Sequence, residues 1–313
     1  MKIFQNITDF NDSSSNIILT LGMYDGIHLG HQKILNEVVK RAKQKKGKSV
    51  LLTFAPHPRK VLQESVELKM LSLQKEKLAL LEKAGLDYVI IHPFTREFSR
   101  LNSIDFVRDL LVNQIGINEL IIGYDHHFGR NREGSFSDLE ELSEVYGFHL
   151  IKIEPQNFSD ITVSSTKIRR ALSEGEIEKA NQLLGYNYSV EGVVVHGNKI
   201  GRTLNFPTAN LKVDEEKLIP KHGVYLFKTF YNLKNYHGLV NIGVRPTFDK
   251  EDYRIEAFLF DFDKEIYDEK LKIEFLQKTR DEKKFDSTDE LKKQIELDCC
   301  KAKEMIVEQK REL

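Results

Sequence analysis

Ile17 to Leu35 reads IILTLGMYDGIHLGHQKIL, and this stretch decides the fold. It opens as an apolar run, passes through a glycine-punctuated turn and enters a segment where Ile34, Leu35, Val38, Val39 and Ala42 recur on one helical face. A strand feeding a helix across glycines leaves unpaired backbone N–H groups at the helix start, which suits a phosphate. The turn also carries His28 and His31, one helical turn apart, with Gly30 between them. Two imidazoles at a helix start make a polyanion cradle without the lysine of a P-loop. Glycine-bearing joints occur throughout α/β proteins; it is the D-G-x-H-x-G-H pattern directly after a strand that sets this one apart.

The alternation continues outward from that joint. Apolar runs rich in strand formers occur at 17–23, 49–55, 87–93, 119–124 and 149–154. Helical patterns fall between them at 31–45, 73–84, 105–115 and 138–146, the last opened by a capping box of Ser137 and Glu140. This alternation predicts a doubly wound parallel sheet with helices on its faces, and ligands at the carboxyl ends of its strands. After Gly185 short runs follow one another at 188–196, 223–230, 237–244, 253–262 and 271–275, which predicts a compact antiparallel sheet or barrel. A terminal helix follows, with Ser287 and Glu290 as its capping box and Leu291, Ile295, Ala302 and Ile306 as its apolar stripe. The expected division is into residues 1–185 and 186–313, an α/β domain and a β domain. Lys43 to Lys48 reads as a solvated helix end.

The 313 residues suffice for two domains. With 40% hydrophobic and 30% charged residues the chain reads as soluble and globular, and a net charge of −1 gives no reason to expect nucleic acid or a membrane surface as a partner. No apolar run approaches the roughly 20 residues needed to span a bilayer. The opening MKIFQNITDFNDSSSN lacks the apolar core of a signal peptide. The two cysteines, Cys299 and Cys300, are adjacent, a poor geometry for a structural disulfide and too few for a thiolate zinc site. The expected location is the reducing cytoplasm; oligomeric state is open.

Three more segments fall near strand ends of the first half. In TFAPHPRKVL, His57 stands between Pro56 and Pro58, which either shape a pocket or form an ordinary proline turn. GYDHHFGRNREG offers Asp125, whose carboxylate suits Mg²⁺ or a ribose, with Arg130 and Arg132 as loop charges. VSSTKIRRAL places Ser164, Ser165 and Thr166 at a helix start with Arg169 one turn on; the hydroxyls are either N-caps or phosphate ligands.

The set GMYDGIHLGH, TFAPHP, GYDHHFG and VSSTKIR resembles the adenylyltransferase half of the bacterial bifunctional riboflavin kinase/FAD synthetases, itself similar to the wider HxGH nucleotidyltransferases. Tyr24 departs from the family's usual Phe, a change tolerated where that ring edge reaches solvent.

In the second half, HGNKIGRTLNFPTANL joins a strand-like run to Pro207-Thr208-Ala209-Asn210. Gly197 and Gly201 permit close backbone approach to a ligand, while Thr208 and Asn210 offer hard oxygen donors suited to Mg²⁺. A glycine-rich hairpin followed by a tight Pro-Thr turn has the same composition. NIGVRPTF offers similar chemistry on another loop. Glu256 interrupts an apolar run, either as a solvent-facing residue or as the proton acceptor that phosphoryl transfer to an alcohol requires. GNKIGRTLNFPTANL, HGVY at 222–225, NIGVRPTF, Glu256 ahead of LFDF, and TRDEKKFDSTDELKKQIELD are similar to the family's riboflavin kinase module. The resemblance runs from about residue 15 to 308 in the family's order, with Thr279 standing where a leucine is usual.

The resemblance implies an N-terminal FMN adenylyltransferase domain and a small C-terminal riboflavin kinase β-barrel. It implies ATP and Mg²⁺, with riboflavin, FMN and FAD as substrate, intermediate and product. The catalytic residues implied are Glu256, His28, His31 and Arg169. Gly22, Asp25, Gly26, Gly30, Ser164, Ser165 and Thr166 would hold ATP phosphates in the first domain; Gly197, Lys199, Gly201 and Arg202 would do so in the second. Pro56, His57, Pro58, Asp125, Arg280 and Glu282 would contact flavin, Asp125 being also a candidate nucleotide or Mg²⁺ contact. Thr208 and Asn210 would hold the metal. Two other readings are compatible with the residues: a flavin-binding regulator without turnover, and a kinase fused to a nucleotidyltransferase of different acceptor.

Overall fold

β2 (Ile17–Leu21) is buried at every position, as a central parallel strand covered on both faces must be. In a computed structural model describing residues 1–12, 16–63, 68–124, 128–130, 133–158, 161–197, 201, 204–246 and 251–311, it lies between β3 (Lys48–Ala55) and β5 (Ile117–Gly123). With β1 (Lys2–Phe4), β4 (Tyr88–Pro93) and β6 (His149–Ile153) the sheet order is β1-β4-β3-β2-β5-β6, and every pairing is parallel. Alternate side chains supply two cores. Ile18, Leu51, Val89 and Ile121 pack with Leu35, Val38 and Ala42 of α1 (Leu29–Gln44) and Leu81 of α3 (Gln74–Lys83), which follows the short α2 (Pro58–Leu62). Leu19, Leu52 and Ile122 pack instead with Phe106, Leu111 and Leu139. The sheet is therefore doubly wound, each fully buried Leu or Ile contributing about 1.5–3 kcal/mol by removal from water.

Local differences from the sequence reading have clear causes. α1 starts at Leu29 rather than His31, because His28 serves as its N-cap. The segment expected as a helix over 105–115 is a short α4 (Ser103–Asp105) running on as a π-helix, Phe106–Ile115. α5 (Phe136–Tyr146) is opened by Ser135 and Asp138, not Ser137 and Glu140: the Asp138 N–H donates to Ser135 Oγ at 3.3 Å and Asp138 returns the bond to the Ser135 N–H at 2.7 Å. The basic run is not simply solvated, since Lys45 pairs with Glu119, a carboxylate 1% exposed on β5 that Arg41 also reaches at 3.3 Å. β1, which no motif announced, pairs with β4. A small hairpin of β7 (Asn157–Phe158) and β8 (Ile161–Thr162) precedes α6 (Ser165–Glu174) and α7 (Ile177–Leu184).

The second half closes as an antiparallel barrel. Its strands are β9 (Ser189–Val195), β10 (Ala209–Val213), β11 (Gly223–Tyr231), β12 (Lys234–Pro246), β13 (Glu251–Leu259) and β14 (Lys270–Arg280), in the closed order β10-β13-β12-β11-β14-β9. β10 is the strand that reading Pro207 to Asn210 as a turn overlooked; closure removes the edges that an open sheet would expose. α8 (Thr288–Arg311) lays Ala302 and Ile306 against Val224, Leu226 and Leu239. At its start the Glu290 N–H donates to Ser287 Oγ, but the Glu290 carboxylate accepts from the Asp286 N–H rather than closing a box on Ser287.

By internal contacts the chain divides into Met1–Ser165 and Thr166–Leu313, within the first turn of α6. α7 goes with the barrel because Asn181 donates to the Phe275 carbonyl at 2.9 Å and accepts from the Tyr188 N–H at 2.7 Å.

Candidate active sites

The β2–α1 turn builds the first site. Gly22 still donates to the Leu52 carbonyl, the last link of the ladder, and Gly26 then adopts a φ of 80°, open chiefly to glycine. His28 Nδ1 accepts the His31 N–H at 3.3 Å, satisfying one of the free amides of the helix start. The two imidazoles stack with centroids 3.7 Å apart and planes 16° apart. A side chain on Gly30 would bring its Cβ to 3.2 Å from His28 Cε1, a tight contact that glycine avoids and that would push the ring by a few tenths of an ångström. His31 Nδ1 is buried with no hydrogen-bond partner among the described residues. Burial foremost, then the neighbouring His28 and Lys77, hold the His31 pKa well below the ordinary histidine value, which leaves a neutral ring. Tyr24 is 3% exposed and its hydroxyl pairs with Thr20 Oγ1 at 2.7 Å, so the extra oxygen is accommodated by a buried partner and not by solvent.

The Asp25 carboxylate is held by backbone far along the chain. It accepts from the N–H groups of Leu71 at 3.1 Å and Ser72 at 3.0 Å, and Ser72 Oγ in turn accepts the Gly26 N–H at 3.0 Å. Lys77, 7% exposed, donates to the Met23 carbonyl at 3.2 Å and Thr53 Oγ1 at 3.4 Å. The Ser165 hydroxyl donates to the Asp25 carbonyl at 3.0 Å, bringing the serine-rich segment to the same turn. Ser164 is half-buried beside it, Thr166 is exposed and Arg169 is half-buried one turn along α6. At the end of β3, the cis Ala55–Pro56 bond and Pro58 flank His57, which caps α2 by accepting the Arg59 N–H at 3.1 Å. Partly buried rings of Phe54, Phe94 and Phe98 meet there at centroid distances of 5.5–5.9 Å, an apolar surface suited to a flat aromatic acceptor. Asp125 and Arg132 lie outside the described residues.

The barrel builds the second site by register. Asn210 on β10 faces Glu256 on β13, Glu256 faces Asn241 on β12, Asn241 faces Val224 on β11, and Val224 faces Arg280 on β14. Directly opposed residues share a face, so one row carries two amides, a carboxylate and a guanidinium. Glu256, Asn241, Arg280 and Glu282 line a cavity of about 290 Å³ together with Phe285 and Thr208, and Leu291, Ile295 and Asp298 of α8 close it. Arg280 donates to the two Asp298 oxygens at 3.1 and 2.9 Å, which ties β14 to α8. Thr208 also lines a second cavity of about 520 Å³ with Asn205, Pro207, Asp263, Lys264 and Tyr267. Gly201 lines the smaller cavity, and a Cβ on Gly197 would collide with the Asn210 amide. Lys199, Arg202 and the Thr247-Phe248 end of NIGVRPTF lie outside the described residues.

Several members of these sites were not singled out in the sequence. Arg254 donates to Glu256 Oε1 at 2.6 Å; its offset of two along a strand was a legible signal. Asn241 belonged to a recognised motif, but only the β12–β13 register sets it opposite Glu256. Asp298 and Lys77 carried no local signal, since a charge on a helix is usually solvated.

Two candidate sites are thus housed in one chain, one at a helix start on a parallel sheet and one lined by a carboxylate on a closed barrel, and the class that this fold points to is a two-domain nucleotide-dependent transferase. Residues 10–167 match the FAD synthetase family and residues 184–306 the riboflavin kinase family. The bifunctional riboflavin kinase/FMN adenylyltransferase of Listeria monocytogenes is 39% identical, over 90% of this chain and 90% of that one. That of Escherichia coli K12 is 32% identical over 97% of each. The crystal structure of a macrolide-efflux protein from Streptococcus pneumoniae superposes with a TM-score of 0.87 at 30% identity, covering 95% of this chain and 96% of that one. Among the described residues no helix is long and apolar enough to cross a membrane. The chain belongs to the bifunctional riboflavin kinase/FMN adenylyltransferase family.

Proposed function

We propose a division of labour for the two activities that family membership gives this chain, phosphorylation of riboflavin to FMN and adenylyl transfer from ATP to FMN. The observation that carries it is Thr208, on the wall common to both barrel cavities. ATP occupies the larger cavity and riboflavin the smaller, so the γ-phosphate and the flavin 5′-hydroxyl meet at Thr208. The Glu256 carboxylate takes the hydroxyl proton as that oxygen attacks the γ-phosphorus and ADP departs. Arg280 and Glu282 bound the flavin side; Gly197 and Gly201, with Lys199 and Arg202 on the sequence pattern, cover the phosphates.

Thr208 and Asn210 fit Mg²⁺: both present hard oxygens, and glycines at 201 and 197 keep the space beside them free of a Cβ. Among the described residues no cluster of three His, Cys, Asp or Glu stands ready for a metal, so Thr208 and Asn210 would be the residues that hold the ion. When bound, the ion supplies positive charge to the phosphates.

In the first domain an FMN phosphate oxygen attacks the α-phosphorus of a second ATP and pyrophosphate leaves. The nucleophile is already an anion, so the protein supplies position and charge stabilisation rather than a covalent intermediate. His28, His31 and the helix-start amides face the polyphosphate, with Gly22, Gly30, Ser164 and Ser165 around them; Thr166 and Arg169 are assigned to it on the sequence pattern. Asp25 and Gly26 serve by holding the turn through Ser72. Pro56, His57 and Pro58 wall the acceptor, with Asp125 beside them on the sequence pattern. By their sequence motifs we assign residues 1–185 to this step and 186–313 to the kinase, with α7 of the first segment packed on the barrel, and both activities to the cytoplasm.

Steady-state measurement of ADP and pyrophosphate from ATP and riboflavin tests the reading. The expected result is ADP first, then pyrophosphate as FMN accumulates. ADP without pyrophosphate on added FMN points to a different acceptor, and neither product points to a flavin-binding regulator.

A further inference from the structure

β13 places Arg254 and Glu256 on one face, two residues apart, and both line the cavity of about 290 Å³. The Arg254 guanidinium donates to Glu256 Oε1 at 2.6 Å, and the two side chains are only 33% and 17% exposed. Among the described residues Oε1 has that one hydrogen bond, Oε2 has none, and Arg254 has no other partner. Opposite Arg254 on β12 stands Gly243, where a Cβ would lie 2.9 Å from Glu282 Oε1, so the strand keeps a bare position across from the guanidinium.

We propose that Arg254 is a positioning residue for riboflavin phosphorylation: it pins one carboxylate oxygen of Glu256 so that the other is presented to the flavin hydroxyl. This rests on the reading of Glu256 as the proton acceptor. In the step served, the 5′ O–H bond breaks and its proton passes to Oε2. The freed electron pair bonds to the γ-phosphorus, and the bridging oxygen leaves with ADP. A guanidinium keeps its own protons throughout, so Arg254 holds without competing for the transferred one. A glutamate released from such a contact spreads over its rotamers, and a proton transfer that needs one of them slows while the other lining residues of the flavin cavity are unchanged.

The test is a kinetic cycle on the full chain with Arg254→Met, Arg254→Gln and Arg254→Lys, each alone and in a Glu256→Ala background. The single Met and Gln variants should lose about 10- to 100-fold in kcat for FMN formation, with KM for riboflavin and ATP within about twofold. Arg254→Lys should recover part of the loss. FAD formation from supplied FMN should be unchanged, which reports that the preparation is folded. In the Glu256→Ala background the Met or Gln change should cost nothing further, because there is no carboxylate left to pin. An unchanged kcat in both single variants, a loss confined to KM, or an equal second loss in the Glu256→Ala background would each overturn the positioning role. If Glu256→Ala itself retained the wild-type kcat, the base assignment would fall and this inference with it.

Discussion

The imidazoles of His28 and His31 lie ring against ring, 3.7 Å between centroids, with His28 capping the helix in which His31 occupies the first turn. Two protonated rings at that distance would repel, and His31 Nδ1 is buried besides. The unit of residues 1–165 therefore binds fewer protons at this position when folded than when unfolded. A base with a depressed folded pKa contributes its full stability above the unfolded value, and that stability is lost as pH falls. Between about pH 6.5 and the folded pKa the unfolding free energy of this unit should drop by about 1.4 kcal/mol per pH unit from His31 alone. Denaturant titrations at a series of pH values, with His31→Gln as the control lacking that slope, measure it.

Removing either ring should separate the two activities. His28→Ala or His31→Ala should lower FAD formation about 10²- to 10³-fold, or about 2.7–4 kcal/mol of transition-state stabilisation, with FMN formation retained. Glu256→Ala should do the reverse. Chromatographic separation of riboflavin, FMN and FAD reads both at once, and a folded variant losing both activities together would contradict separate sites.

Gly30→Ala should make a more stable helix and a poorer enzyme. Alanine gains up to about 1 kcal/mol over glycine inside a helix. Its Cβ would nevertheless meet His28 Cε1 at 3.2 Å and Nδ1 at 3.3 Å, displacing the ring by a few tenths of an ångström. The expected outcome is a maintained or raised Tm with reduced FAD synthesis; full activity would show that His28 tolerates the shift.

Thr279 is 6% exposed and its Oγ1 has no hydrogen-bond partner among the described residues. An unpaired buried hydroxyl costs about 1–3 kcal/mol, so Thr279→Val, which keeps the shape, should stabilise the barrel by about 1 kcal/mol. Lys301 bonds the Thr279 carbonyl, which this change leaves in place. Thermal unfolding with kinase activity as control tests it.

Asp25 shows where local reading stops. In the sequence it belongs to the histidine-bearing turn and reads as a residue that holds ATP phosphates, while in the fold its carboxylate accepts from the N–H groups of Leu71 and Ser72, more than forty positions along the chain. Nothing in its neighbours announces that partner. The Ser137–Glu140 box failed differently: two overlapping S-x-x-D/E patterns compete there, and Ser135 with Asp138 won by starting the helix where Phe136 can pack into the sheet core. By contrast His28 as a helix-start residue, and the strands flanking it, were legible because they depend on the period of adjacent side chains.

The sequence by itself determined the parallel α/β half, the β-rich half, the order of the motifs and the residue types each chemistry needs. These follow from hydrophobic period, glycine placement and capping, all properties of residues close in the chain. Tertiary structure alone decided that the β half closes into a barrel and that Asn210, Glu256 and Asn241 form one row. It also decided that Arg254 takes one oxygen of Glu256 while Arg280 reaches back to Asp298. The reason is register: sliding a strand by one residue turns every side chain to the opposite face, and what sets the register is the packing of strands far apart in sequence.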